Sequence, residues 1–147
     1  MNILVINGPN LNMLSKRNSD IYGNLSYKEL CKKIEDFAAS LDISTEILQT
    51  NHEGDIIDII NEADENFDAV VINAGAYTHY SYAIRDAIEC SCVPFVEVHL
   101  SDITNRENFR KISVIKDVCK KQFFGKKEKS YFEAIEYLVN ECGKNDR

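Results

Sequence analysis

The stretch Phe67-Asp68-Ala69-Val70-Val71-Ile72-Asn73-Ala74-Gly75-Ala76-Tyr77-Thr78-His79 decides the fold. Residues 67–72 read as a strand, almost wholly apolar, as a central strand of a parallel sheet must be when helices cover both its faces. The run then breaks into Asn, Gly and His. The same plan occurs twice more. Ile3-Leu4-Val5-Ile6 ends in Asn7-Gly8-Pro9-Asn10-Leu11-Asn12, and Pro94-Phe95-Val96-Glu97-Val98 runs into His99-Leu100-Ser101. Three strands ending in polar loops within one small chain point to an active site at one end of a sheet.

The segments between these strands carry helical periodicity. Residues 2–7 form the first strand, and Ser26-Tyr27-Lys28-Glu29 is a capping-box signature that opens a helix with Leu30, Ile34, Phe37 and Leu41 on one face. A second strand covers 43–49. A helix over 54–65 follows, buried through Ile56, Ile57, Ile59, Ile60 and Ala63. Another helix is expected over 79–90, a fourth strand over 94–98, and a fifth somewhere between Ile112 and Cys119. The last helix runs from about Lys129 to Asn140, with Phe132, Ile135 and Leu138 inward. Repeated β-α units imply right-handed crossovers and a parallel sheet covered on both faces. The expectation is one α/β domain over residues 1–147, a flavodoxin-like, doubly wound, five-stranded parallel sheet. Such sheets bind ligands beyond the carboxyl ends of their strands, at a topological switch point.

Composition narrows the partners. The formal net charge of -7 argues against a nucleic-acid surface, which needs clustered cations to neutralise phosphates. The basic run from Lys120 to Lys129 reads as a solvated loop. No apolar run approaches the ~18 residues that span a bilayer, and no secretory leader opens the chain. The cysteines are five in number and lack CxxC pairing, so a reduced, cytoplasmic setting is expected. Cys90-Ser91-Cys92 reads as a helix end with two part-buried thiols.

The strand-end residues suggest acid–base chemistry. Tyrosine is a poor base until a fixed cation stabilises its phenolate, and Arg17 lies five residues before Tyr22. A surface arginine beside a surface tyrosine would show the same spacing. Glu97 and His99 alternate on one strand and so share a face, where the carboxylate can orient or charge the imidazole for a general acid. A structural histidine is the competing reading. The backbone at Leu100 and Ser101, with the Ser101 hydroxyl, suits a substrate carboxylate. Asn73, His79 and Arg110 are donors for hydroxyls and anions, and Asn10 could hold a water or an oxyanion. His52, His79 and His99 lack metal-ligand spacing, and no P-loop or GxGxxG is present, so neither metal nor cofactor is expected. Asp86 reads as a solvated charge unless a neighbouring subunit buries it.

Taken together, Asn7 to Asn12, Tyr22-Gly23, Gln49-Thr50-Asn51-His52-Glu53-Gly54, Asn73 to His79, Ala83-Ile84-Arg85-Asp86-Ala87, Glu97 to Ser101 and Arg106-Glu107-Asn108-Phe109-Arg110 resemble the type II 3-dehydroquinate dehydratases. The resemblance covers the chain to about Ser113 closely and the last helix more loosely. It implies dehydration of 3-dehydroquinate to 3-dehydroshikimate by a lyase of the shikimate pathway, without metal, cofactor or Schiff base. It implies Tyr22 as the base, Arg17 as the group that stabilises its phenolate, Asn10 as holder of the enolate-stabilising water, and His99 as the acid supported by Glu97. Asn73, His79 and Arg110 would bind hydroxyls, and Leu100 and Ser101 the carboxylate. Asp86 would reach an adjacent subunit in a homododecamer built from trimers.

The chain departs from that family's pattern in places. Ser15 and Asn18-Ser19 stand for a usual Gly and Glu-Pro around the loop arginine. Tyr80 replaces a smaller residue, Asp102 an Asn, and Lys116 to Lys129 a Gly-rich apolar stretch. The altered loop motivates an alternative: a catalytically silent flavodoxin-like protein that binds a small molecule.

Overall fold

The computed structural model describes residues 1–22 and 24–145; Gly23 of the Tyr22-Gly23 pair lies outside the described residues. In chain order the elements are β1 (Asn2–Asn7), α1 (Ser19–Tyr22), α2 (Tyr27–Ser40), β2 (Ser44–Gln49), α3 (Glu53–Asn66), β3 (Ala69–Asn73), α4 (Tyr82–Cys90), β4 (Phe95–His99), β5 (Lys121–Phe124) and α5 (Lys129–Asn145). The five strands are parallel, in the order β2-β1-β3-β4-β5. The chain steps from β1 out to β2 and then returns across β1 to β3. The switch point therefore lies between β1 and β3, where Asn7 pairs with Asn73.

The period-2 alternation of each strand divides the core into two layers. Ile3, Val5, Val71, Val96 and Val98 pack against Leu30, Ile34 and Ala38 of α2 and Ala134, Ile135 and Leu138 of α5. Leu4, Ile6, Val70, Ile72 and Phe95 meet Ile56, Ile60 and Ala63 of α3 and Ile84, Ala87 and Ile88 of α4. Ile57 and Ile59 are only partly buried at the margin of that second layer. Leu41 is exposed, because it is the C-cap of α2 and has left the helical face. At the start of α2, Ser26 Oγ accepts from the Glu29 N–H at 3.1 Å, so the capping signature does what its sequence implies.

Three expectations are corrected. The helix expected over 79–90 begins at Tyr82. Gly75–His79 form a separate 3₁₀ turn, and Ser81 Oγ caps α4 by accepting from the Ile84 N–H at 3.1 Å. The fifth strand is Lys121–Phe124 rather than a segment of 112–119. Residues 112–119 attracted the strand reading because they are rich in Ile and Val. In the fold Ile115 is buried as a plug against the α3/α4 layer, while the charged, aromatic Lys121–Phe124 takes the open edge of β4. Cys90 and Cys92 are exposed, not part-buried. The loop between them is fixed by the Asp64 carboxylate, which accepts from the Ser91 hydroxyl and from the Cys92 N–H at 2.9 Å. Among the described residues no helix is long and apolar enough to cross a membrane.

Two features fix the strand ends. The Tyr131 hydroxyl of α5 donates to Asn7 Oδ1 at 2.7 Å and accepts from Asn73 Nδ2 at 2.9 Å, bridging β1 and β3 within the core. One residue on, Gly8 donates its N–H to the Asn73 carbonyl at 2.8 Å, and a Cβ on Gly8 would lie 2.6 Å from the Ala74 carbonyl oxygen. Only glycine allows that approach. Gly8→Ala should therefore lower unfolding stability by about 1–3 kcal/mol through local overpacking, read as a shift in the urea midpoint.

Candidate active site

Beyond the carboxyl ends of β1, β3 and β4 lies one cleft of about 130 Å³. Asn10 and Leu11 enter from the β1 loop, and Asn73, Gly75 and His79 from the end of β3. His99, Leu100, Ser101, Arg106 and Arg110 come from β4 and the turns after it, and Arg17 and Tyr22 from the segment between β1 and α2. The fold thus gathers Tyr22, Arg17, Asn10, His99, Asn73, His79, Leu100, Ser101 and Arg110 in one place. Glu97 lies behind His99, fully buried. Asp86 is on the exposed side of α4 and does not line this cleft.

Tyr22 is held by two guanidinium groups. The Arg17 Cζ sits 3.7 Å from its ring centroid, and Arg106 Nη1 donates to its hydroxyl at 2.9 Å. Arg106 also reaches Ser101 Oγ at 3.3 Å, so it ties the Tyr22 segment to the β4 loop. The sequence shows Arg106 only as the first residue of the Arg106-to-Arg110 motif. Nothing local marks a partner 84 residues away. Burial makes the Arg17 charge costly and pulls its pKa below the usual arginine value. Tyr22 opposes that shift, while the positive charges of Arg106 and Arg110 add to it. Three arginines line the cleft, Arg110 being ion-paired with Glu107 at 2.7 Å, and a cluster of positive charge of this kind is suited to attract an anion.

His99 and Glu97 share a face as the alternation requires, with His99 Nε2 and Glu97 Oε2 2.6 Å apart. Glu97 also accepts from Ser113 Oγ and from Gln122 Nε2, each at 2.7 Å. Burial alone would raise the Glu97 pKa, but the bonds from His99, Ser113 and Gln122 outweigh it and hold the carboxyl below its usual range. An ionised Glu97 can only accept, so the His99 Nε2 carries a proton and Nδ1 is the nitrogen left for a ligand.

His79 lines the cleft with one ring nitrogen already engaged. Burial lowers its pKa, so the ring is neutral near pH 7, and Nδ1 lies 2.7 Å from the Ile112 carbonyl, to which it must donate. The remaining nitrogen, Nε2, then offers a lone pair. In that tautomer His79 can accept a hydrogen bond at Nε2. Asn73 is oriented by Tyr131 and by the Gly75 N–H, which donates to Oδ1 at 3.2 Å. Asn10 takes a left-handed conformation (φ 67°), and its N–H donates to Asn51 Oδ1 at 3.1 Å. Gln49 Nε2 holds the same Asn51 oxygen and the Gly8 carbonyl, both at 3.1 Å. The Gln49-to-Asn51 motif therefore braces the β1 loop, while His52 sits at the cap position of α3 outside the cleft. Asp102 accepts from the Thr104 N–H at 3.0 Å and caps the turn that leads to Arg106. Among the described residues no group of three His, Cys, Asp or Glu side chains could hold a metal ion.

Fold and cleft together define a flavodoxin-like α/β protein in which a tyrosine flanked by two arginines and a carboxylate-backed histidine line one small cleft. The family model for class II dehydroquinases matches residues 1–139, and the chain belongs to that family. It is 53% identical over 138 residues to the 3-dehydroquinate dehydratase of Thermotoga petrophila, covering 94% of each chain. The type II dehydroquinase of Butyrivibrio crossotus superposes with a TM-score of 0.91 at 52% identity, over 94% of this chain and 97% of the other. That of Propionibacterium acnes gives 0.91 at 35% identity, over 95% and 96%.

The depressed Glu97 pKa has a definite sign. Its contribution to stability is complete above the usual carboxylate pKa and is lost as pH falls through the lowered folded value. Glu97→Gln should therefore destabilise the protein at pH 7, with the gap in urea midpoint from wild type narrowing once pH falls below about 4.

Proposed function

We propose that this chain is a lyase that dehydrates 3-dehydroquinate to 3-dehydroshikimate by anti elimination through an enolate, in the shikimate pathway. The observation that carries this reading is the Tyr22 phenol set between Arg17 and Arg106 in the same cleft as the His99–Glu97 pair. The Tyr22 oxygen, with the Arg17 and Arg106 guanidiniums beside it, takes a proton from the carbon beside the ketone. The C–H electron pair moves onto the ketone oxygen. Asn10 holds the water that stabilises the resulting enolate, a charge-stabilising role of the kind that dominates many active sites.

Collapse of the enolate forms the carbon–carbon double bond and breaks the bond to the leaving hydroxyl. His99, as the imidazolium balanced by Glu97, donates from Nδ1 to that hydroxyl, which departs as water. The proton on Tyr22 returns to solvent and His99 regains one at Nδ1, so both groups are restored and no net proton is released. Leu100, Ser101 and the adjoining arginines hold the substrate carboxylate, while Asn73, His79 and Arg110 bind hydroxyls. The scheme requires neither metal nor cofactor.

Assembly belongs to the same proposal. Tyr80, Tyr82, Phe109 and Ile112 are 58, 66, 57 and 56% exposed, an apolar surface on α4 and the loops beside the cleft. Burying it between copies supports a homododecamer built from trimers, with Asp86 of α4 delivered to a neighbour's cleft. Residence in the cytoplasm fits the cysteine usage. Sedimentation of the wild-type protein should show a mass near twelve chains, and a stable monomer would refute the assembly.

The direct test follows enone absorbance from 3-dehydroquinate with metal-stripped protein. Wild type should turn over, and Tyr22→Phe should abolish turnover while substrate affinity stays within about tenfold, since only the proton-accepting oxygen is removed. Near-wild-type rates in the variant would remove Tyr22 as base. A well-folded wild type that binds 3-dehydroquinate without forming product would be a silent binding protein.

A further inference from the structure

We propose that Lys127 is a positioning residue, a latch that holds the Tyr22 segment over the cleft; the idea rests on the reading of Tyr22 as the base. Lys127 lies in the turn between β5 and α5. Its ammonium donates to the Asp20 carbonyl at 3.0 Å and to the Ile21 carbonyl at 2.8 Å. Both carbonyls belong to α1, the four-residue helix that ends at Tyr22. A helix end exposes carbonyls with no partner in the helix, and a cation there satisfies them and complements the dipole.

The anchor on the other side is equally specific. The Lys127 N–H donates to the Leu100 carbonyl at 3.1 Å, and the neighbouring Lys126 N–H to Ser130 Oγ at 3.1 Å. One residue thus joins the β4 loop that would hold the substrate carboxylate to the helix that carries the base. It does so in a left-handed backbone conformation (φ 55°), which is unfavourable for a residue with a Cβ. Such strain persists where surrounding contacts impose it. Glycine would take this conformation without cost, so a lysine here is explained by what its side chain reaches. The helix itself buries no side chain fully, and the latch supplies the fastening that its packing lacks.

Lys127→Gly removes the ammonium and relaxes the backbone, so the fold is kept and the thermal midpoint should hold or rise. Amide hydrogen exchange and steady-state kinetics on the intact protein then test the latch. The Ile21 and Tyr22 amides, both bonded to the Asn18 carbonyl, should exchange about tenfold faster than in wild type. The kcat/KM for 3-dehydroquinate should fall about tenfold, about 1.4 kcal/mol, with the loss in kcat rather than KM because the carboxylate anchors remain. Lys126→Gln removes an adjacent cation that pairs with Glu133 and should change neither quantity. Unchanged exchange in Lys127→Gly, unchanged kcat, or an equal effect from Lys126→Gln would each overturn the latch. A wild type without turnover would refute the base instead, and the exchange comparison would still decide whether Lys127 holds the helix.

Discussion

The cleft depends on a single buried hydroxyl. Tyr131 is fully enclosed, and burial raises its pKa well above the usual phenol value, so it stays protonated and keeps donating to Asn7 while accepting from Asn73. Those two asparagines end the adjacent strands β1 and β3 at the switch point. Asn7 also reaches back to the Tyr27 hydroxyl at 3.4 Å, which continues the network to the start of α2. A buried network of this kind is favourable only when each member is satisfied, since an orphaned amide there costs about 1–3 kcal/mol. Registering the two strand ends this way sets the directions of the loops carrying Asn10 and His79. The close approach of Gly8 to Ala74 is possible only in that register.

Charge is distributed against the average of the molecule. The chain carries a net -7, yet the cleft concentrates three guanidinium groups. The one carboxylate directly behind it, Glu97, has all its strong interactions taken up by His99, Ser113 and Gln122. That carboxylate orients the His99 ring, while the arginines on the cleft side supply the positive charge. The two imidazoles are prepared differently by the same means. A carboxylate fixes the proton of His99 on Nε2, and a carbonyl fixes that of His79 on Nδ1. The two rings are therefore left with opposite nitrogens free of these contacts, Nδ1 in His99 and Nε2 in His79.

Elements whose side chains alternate or cycle cleanly were legible from sequence. Strands β1, β3 and β4, the start of α2 and the Glu97–His99 pair followed from period and capping alone. The segment from Ile112 to Phe124 was not, because β-branched residues serve equally in a strand and in a loop that plugs a core, as Ile115 does. Partners distant in sequence were also hidden. Arg106 meets Tyr22, and Lys127 meets Asp20 and Ile21, through contacts that only the folded chain creates. The family resemblance supplied the roles of Arg17 and Asn10, which spacing by itself left open. The acceptor character of His79 needed the Ile112 carbonyl, thirty-three residues away.

The way the segment between β1 and α2 is attached has its own consequence. Leu11 and Leu14 sink into the α2/α5 layer, and from Ser15 to Tyr22 no side chain is fully buried. Tyr22 is thus mounted on a cassette pegged to the core by two leucines, while His99 is built into a strand. Within it Arg17, Ile21 and Tyr22 are half-buried and the rest is exposed, so substitutions at Ser15, Asn18 and Ser19 would leave the hydrophobic core in place. Variation in this part of the chain is free to adjust the speed of the reaction independently of the persistence of the fold.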